Sequence, residues 1–168
     1  MVVPPSAVHL PQPPSAMLIR EALVADIAAY MEVRLAVREN VLSSPGRVTY
    51  EDNVDYLTRR GKGWVAEIQG RIVGFAIADL QDHSIWALFV HPDFDRRGIG
   101  RALHETMLNW YFSQTDEPLW LGTAPGTRAE IFYRKAGWLN LGLSENGEAK
   151  FGMEALVWKT TYRGATQG

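Results

Sequence analysis

The chain has 168 residues, 46% of them hydrophobic and 21% charged, which fits one globular domain with enough apolar material for a sizeable core. A formal net charge of -2 supplies no overall basic field to gather nucleic acid or anionic lipid, so any attraction to phosphate must be local. With no cysteine there are no disulfides, no thiolate metal sites and no cysteine nucleophile, and a reducing, cytoplasmic setting is expected.

Residues 1–16 hold five of the nine prolines and no Lys or Arg. They lack the charged start and apolar centre of a secretory signal, and are read as a disordered or polyproline-like extension. Residues 17–160 then form the expected domain, with 161–168 as a tail. Met17 to Ala22 is a short apolar run read as a strand, and Asp26 to Val37 carries apolar residues at helical spacing. Ser43-Ser44-Pro45-Gly46 breaks that helix, and Tyr50 to Arg60 resumes a second, with Tyr50, Val54 and Leu57 on one face. Trp64 to Ile68 and Arg71 to Leu80 flank Gln69-Gly70, the signature of an antiparallel hairpin. Ser84 to Val90 is a further strand. From Gly98 to Phe112 the apolar positions recur at three and four, a helix with one buried face.

Leu119 to Gly122 reads as a short strand, Arg128 to Ala136 as a helix ended by Gly137, and Phe151 to Trp158 as the closing strand. The expected fold is a single α/β (α+β) domain. Its mixed central sheet of about six to seven strands is flanked by helices in the order β-α-α-β-β-β-α-β-α-β-β.

The chemistry concentrates in Leu88-Phe89-Val90-His91-Pro92-Asp93-Phe94-Asp95-Arg96-Arg97-Gly98-Ile99-Gly100-Arg101, a strand, a turn and a helix start. Gly98 and Gly100 let successive N–H groups of the Gly98-Ile99-Gly100 turn face one anion at the positive end of a helix dipole. Arg96, Arg97 and Arg101 add mobile positive charge. Alone, a G-x-G here is also compatible with a plain tight turn. It is neither a completed G-x-G-x-x-G nor a P-loop.

This segment resembles motif A of the GNAT N-acetyltransferase superfamily, R/Q-x-x-G-x-G/A. Downstream, Arg128-Ala129-Glu130-Ile131-Phe132-Tyr133-Arg134-Lys135-Ala136-Gly137-Trp138 is similar to the family's A-x-x-F-Y-x-K-x-G-F helix. The element order agrees from Met17 to Trp158. Two departures stand out: Asp95 occupies the place of the leading Gln or Arg, and Gly126 that of a frequent Asn.

The resemblance implies acetyl-coenzyme A in a cleft where Ser84–Val90 and Leu119–Gly122 splay apart. The backbone of Leu88, Phe89 and Val90 would pair with the pantetheine, Arg96 to Arg101 would hold the pyrophosphate, and an N–H near Val90 would meet the developing oxyanion. Tyr133 matches the family's proton donor to the leaving sulfur; a phenol with a reference pKa near 10 suits a leaving thiolate of similar basicity.

No carboxylate lies on the strand where the family often carries its general base. His83 is the leading candidate because an imidazole accepts a proton near neutrality, against the alternative of a solvated turn histidine. Glu67, Asp79 and Glu39 are further candidates. His91 and His104 read as structural, and no spacing suggests a metal. Trp86 reads as core, or as a wall of an acceptor pocket.

The expected activity is transfer of an acetyl group from acetyl-coenzyme A to a primary amine of a small molecule, peptide or protein. The amine would enter beside residues 38–50, and the family also offers a homodimer as the assembly. The rival reading is a regulatory module that binds acyl-coenzyme A without turnover. Nucleic-acid binding is disfavoured, since three arginines in an acidic chain are too small a basic surface.

Overall fold

Among the described residues seven strands hydrogen-bond into one sheet in the order β1-β2-β3-β4-β5-β7-β6, and helices cover both its faces. The computed structural model describes residues 16–37 and 48–166. The Pro-rich extension up to residue 15, and Glu39, Asn40, Ser43 and Ser44 of the expected acceptor loop, lie outside the described residues. No described helix is long and apolar enough to cross a membrane.

Strand β1 (Met17–Glu21) leads through a 3-10 turn into helix α1 (Ile27–Ala36). The turn is held by Asp26, whose carboxylate accepts the Leu23 N–H at 2.7 Å and a two-pronged bond from Arg20. Helix α1 buries Ile27, Tyr30 and Val33 at helical spacing against the sheet. Helix α2 (Tyr50–Asp55) starts from a Thr49/Asp52 capping box and runs into a π turn over Tyr56–Arg60.

β2 (Gly61–Ile68) and β3 (Arg71–Asp79) form the expected hairpin. Gln69 and Gly70 both take positive φ, which a two-residue turn of right-twisting strands demands. β4 (Ser84–Val90) pairs with β3, and α3 (Ile99–Gln114) crosses behind. β5 (Leu119–Thr123), α4 (Arg128–Lys135), β6 (Leu139–Leu143) and β7 (Ala149–Met153) follow. Gly137 ends α4 with φ +93°, and the Trp138 N–H returns to the Tyr133 carbonyl at 3.0 Å.

The expected closing strand is corrected. Ala149, Phe151 and Met153 alternate inward with period two, but after Glu154 the inward residues are Ala155 and Trp158, three apart. The chain therefore turns helical, forming α5 (Ala155–Thr166), which leaves Leu156 and Val157 exposed and runs through the expected tail boundary at 160. A window of consecutive apolar residues reads the same for a buried strand and for a helix, and only the inward spacing separates them.

The sheet divides the core in two. One face carries Leu103, Met107, Leu108 and Tyr111 of α3, with Tyr133, Trp138 and Phe151. The other packs Ile27, Tyr30 and Val33 of α1 on Val65, Phe75, Ile77 and Ala87. β4 contributes to both faces, and its pairing with β3 slips between Ile77 and Ala78, so Trp86 is an extra residue. This bulge puts Trp86 and Ala87 together on the α1 face, leaving Leu88 and Val90 on the α3 face and Phe89 on the α1 face.

Candidate active site

The two halves of the sheet meet along β4 and β5, and they hardly pair. Their parallel register consists of Ser84 opposite Trp120, and beyond it the strands diverge. The His91 N–H bonds to the Val73 carbonyl at 2.8 Å, so strand alternation turns the N–H groups of Leu88 and Val90 toward the gap. Backbone donors beside a gap are ready to accept an extended ligand as an additional strand.

A cleft of about 530 Å³ opens at this end of β4. It is lined by Leu88, Phe89 and Val90 of β4, by Arg96, Gly98, Ile99, Gly100 and Arg101 at the start of α3, and by Arg128, Ala129, Phe132 and Tyr133 of α4. Ala36 and Val37 close it from the α1 side. Nearly all the residues singled out by the two motifs thus converge on one space.

At its base, α3 begins on Gly98 in the left-handed region (φ +78°) with no side-chain cap. The first N–H groups of the helix therefore face the cleft without a side-chain acceptor. A Cβ at Gly100 would lie 3.6 Å from Val90 Cγ2 and 4.0 Å from Phe132 Cε2, ordinary contact distances. The fold does not require glycine there, so the bare backbone serves whatever approaches from the cleft. These features fit a diphosphate: oriented N–H donors, a positive helix end and three arginines.

Arg97 stands apart from the other motif residues. Its guanidinium lies 5.1 Å from the Phe94 ring, as does that of Arg71, and it is not on the cleft lining. Asp95, the acidic departure in the motif, donates no net negative charge to the cleft, because its carboxylate is bridged by Arg128 and also accepts the Arg96 N–H at 2.9 Å. Arg128 was not singled out by sequence reasoning as a binding residue. The available signal was a basic residue opening the helix of the second motif, where a helix start already favours anions. Gly126, in the place of the family's Asn, sits at φ +77° and donates its N–H to Glu130 at 2.7 Å; that bond and Arg134 hold the Glu130 carboxyl below its usual range.

Tyr133 is the titratable group at the junction of cleft and core. Burial pushes its phenol well above the ordinary value, so it stays protonated and able to donate. Its ring is packed against Phe132, Trp138 and Phe151. Behind it lies His104, which burial drives down to about 4 and which accepts the Trp138 indole N–H at 2.9 Å. His104 is therefore a neutral structural residue in an aromatic box that fixes Tyr133 from behind.

His83 is not brought to this site. It precedes β4, seven residues before Val90 and roughly 20 Å away along an extended strand. Its φ of +56° turns the ring to Tyr111, with Nδ1 2.9 Å from the hydroxyl. The Tyr111 hydroxyl also reaches the Glu117 carbonyl at 3.1 Å. The expected base is here a turn residue. Glu67 is engaged by Arg20 at 2.8 Å, and buried Asp79 takes Arg60 at 2.7 Å together with the Gln81 N–H at 2.8 Å. Among the described lining residues the cleft holds no histidine, and its one carboxylate is Asp95.

The sequence matches the acetyltransferase (GNAT) family over residues 28–138, and the chain belongs to that family. It is an acetyl-coenzyme A-dependent acyltransferase of the N-acetyltransferase kind. No curated protein matches the sequence.

Solved structures share the fold. The ribosomal-protein-S18-alanine N-acetyltransferase of Escherichia coli superposes with a TM-score of 0.64 at 20% identity, covering 82% of this chain and 92% of its own. The ribosomal-protein-alanine N-acetyltransferase of Brucella melitensis gives 0.68 at 24% identity, covering 82% and 99%. The PaiA N-acetyltransferase of Thermoplasma acidophilum, solved in complex with coenzyme A, gives 0.71 at 15% identity, covering 83% and 99%.

Proposed function

We propose that this protein transfers an acetyl group from acetyl-coenzyme A to a primary amine of a small molecule, peptide or protein, by direct attack of the amine in a ternary complex. The observation that carries the reading is the gap between β4 and β5, with free backbone donors on one side, an uncapped helix start at its base and Tyr133 on its wall. The coenzyme supplies the acetyl group as an activated thioester; the chain's own residues do the rest.

The N–H groups from Gly98 to Arg101 and the side chains of Arg96, Arg101 and Arg128 bind the diphosphate. The β4 edge at Leu88 and Val90 orients the pantetheine as an added strand, and an N–H near Val90 donates to the oxygen on which charge develops. Tyr133, held protonated by its burial, gives its proton to the departing sulfur. With no histidine among the described lining residues, and Asp95 engaged by Arg128, the amine proton leaves to water. The domain doing this is residues 17–160, continued by α5.

Calorimetry with acetyl-coenzyme A, coenzyme A and ATP tests the cofactor assignment, and heat with ATP alone would overturn it. Thiol release against a panel of amines then separates an enzyme from an acyl-coenzyme A-binding regulatory module. The enzyme releases coenzyme A with at least one amine, and the module with none.

A further inference from the structure

Helix α1 buries a stripe formed by Ile27, Tyr30 and Val33, and the next position on that stripe is an arginine. Arg34 does not escape to solvent. Its Nε and Nη1 are shielded from water and have no hydrogen-bond partner among the described residues. Its guanidinium instead lies 4.8 Å from the centroid of Phe89 and 5.8 Å from that of Trp86. Trp86 is in turn stacked on Tyr56, with ring centroids 3.9 Å apart at 11°.

Carboxylates of the neighbouring elements are committed elsewhere. Asp26 is taken by Arg20, Asp79 by Arg60, Asp55 by Arg59 and Asp52 by the Thr49 N–H. The Tyr30 hydroxyl donates to Asn53 at 2.6 Å. β4 carries no carboxylate. Burial accordingly pulls the Arg34 guanidinium below its usual value, although it stays charged at any physiological pH. A planar cation with two donors shielded from water and laid across aromatic faces destabilises the chain unless something arrives to pair with it.

What arrives is constrained by place. Phe89, under the guanidinium, lines the cleft, and so do Ala36 and Val37, two and three residues further along the chain. Arg34 is not itself on the cleft lining but lies behind Phe89 on the α1 face of β4, whereas Phe132 and Tyr133, with Gly100 beside Phe132, lie toward α3 and α4 on the opposite face. If the coenzyme enters from the side of α3 and α4, the α1 side is left to the acceptor.

We propose that Arg34 binds a carboxylate of the acceptor, so that the substrate is an amine carrying an acidic group a few bonds from the nitrogen that is acetylated. The guanidinium fork matches the two oxygens of a carboxylate, and Phe89, which lines the cleft beneath it, gives the acceptor an apolar contact. Two sources share this chemistry: a free amino acid, and a peptide N-terminus with Asp or Glu beside it. This inference rests on the acetyl-transfer reading above and narrows its acceptor.

The test compares matched acceptors in the thiol-release assay: amino acids against their carboxamides, and Ala-Asp and Ala-Glu peptides against Ala-Asn and Ala-Gln peptides. Wild type prefers the acidic member of at least one pair by about tenfold or more, through KM rather than kcat, the discrimination expected of a charged fork bond. The pair that responds identifies free amino acid or peptide.

Arg34→Met keeps the side-chain volume and removes that preference, while Arg34→Lys keeps part of it. The melting temperature of Arg34→Met is equal to or above that of wild type, since an unpaired buried charge has gone. Equal rates for all pairs in wild type, or a preference that survives in Arg34→Met, overturns the proposal. If Arg34→Met does not fold, Arg34→Lys carries the comparison. Failure of wild type to bind coenzyme A in calorimetry would instead strike the acetyl-transfer reading itself.

Discussion

The two ends of β4 are built on opposite principles. At the His83 end the strands pair, Trp120 donates its backbone N–H to the His83 carbonyl at 2.9 Å, and two polar side chains are answered there: Asp79 by Arg60 and turn N–H groups, His83 by Tyr111. At the Val90 end the strands part, helix α3 opens without a side-chain cap, and Arg34 waits without a partner among the described residues. The difference teaches where function sits in this fold. The closed end pairs its polar groups internally, and in the proposed function the open end offers its own to a ligand.

The comparison breaks if substitutions at the closed end damage chemistry, or if those at the open end damage folding. The largest expected effect is on stability. Asp79→Ala leaves Arg60 and the Gln81 and Asp82 N–H groups without their acceptor and removes a side chain that is 1% exposed. Urea denaturation is expected to show a loss of roughly 3 kcal/mol, with coenzyme A affinity of the folded fraction unaltered.

At the open end, Gly100→Val adds methyl groups toward the cleft from a Cβ that the fold accepts. Calorimetry should show coenzyme A binding about tenfold weaker, near 1.4 kcal/mol, with a melting temperature close to wild type. The smallest effect belongs to His83→Ala, which removes one partly buried hydrogen bond and costs on the order of 1 kcal/mol in denaturation, with turnover kept. A large loss of turnover in His83→Ala would restore His83 as the base and blur the contrast.

Much of the open end was legible because its signals are local. Gly98 and Gly100 fall at a helix start, Gln69-Gly70 demands a hairpin, and Phe132-Tyr133 sits at a recognisable place before Gly137. What escaped the sequence is set by tertiary relations. The parting of β4 from β5 depends on a single register pair, and no residue type encodes it. The bulge at Trp86 arises from slipped pairing with β3, and that slip turns Trp86 toward α1, where the sequence left it between core and pocket wall.

His83 looked like a base because imidazole chemistry suits one, yet its left-handed backbone, invisible in composition, aims it at Tyr111. Asp95 departs from the motif in sequence, and its partner Arg128 is brought to it by α4 from 33 positions away. The helical end of the chain was missed because Leu156-Val157-Trp158 is as apolar as a strand.

The central claim is that the open end of β4 performs the chemistry with Tyr133 as proton donor, and one measurement tests it most directly. The kcat of Tyr133→Phe is compared with wild type at saturating acetyl-coenzyme A, and the coenzyme A dissociation constant of the same two proteins is measured alongside. A fall in kcat of about a hundredfold, with the dissociation constant within about twofold of wild type, is the predicted result. Equal kcat in the two proteins would contradict the account.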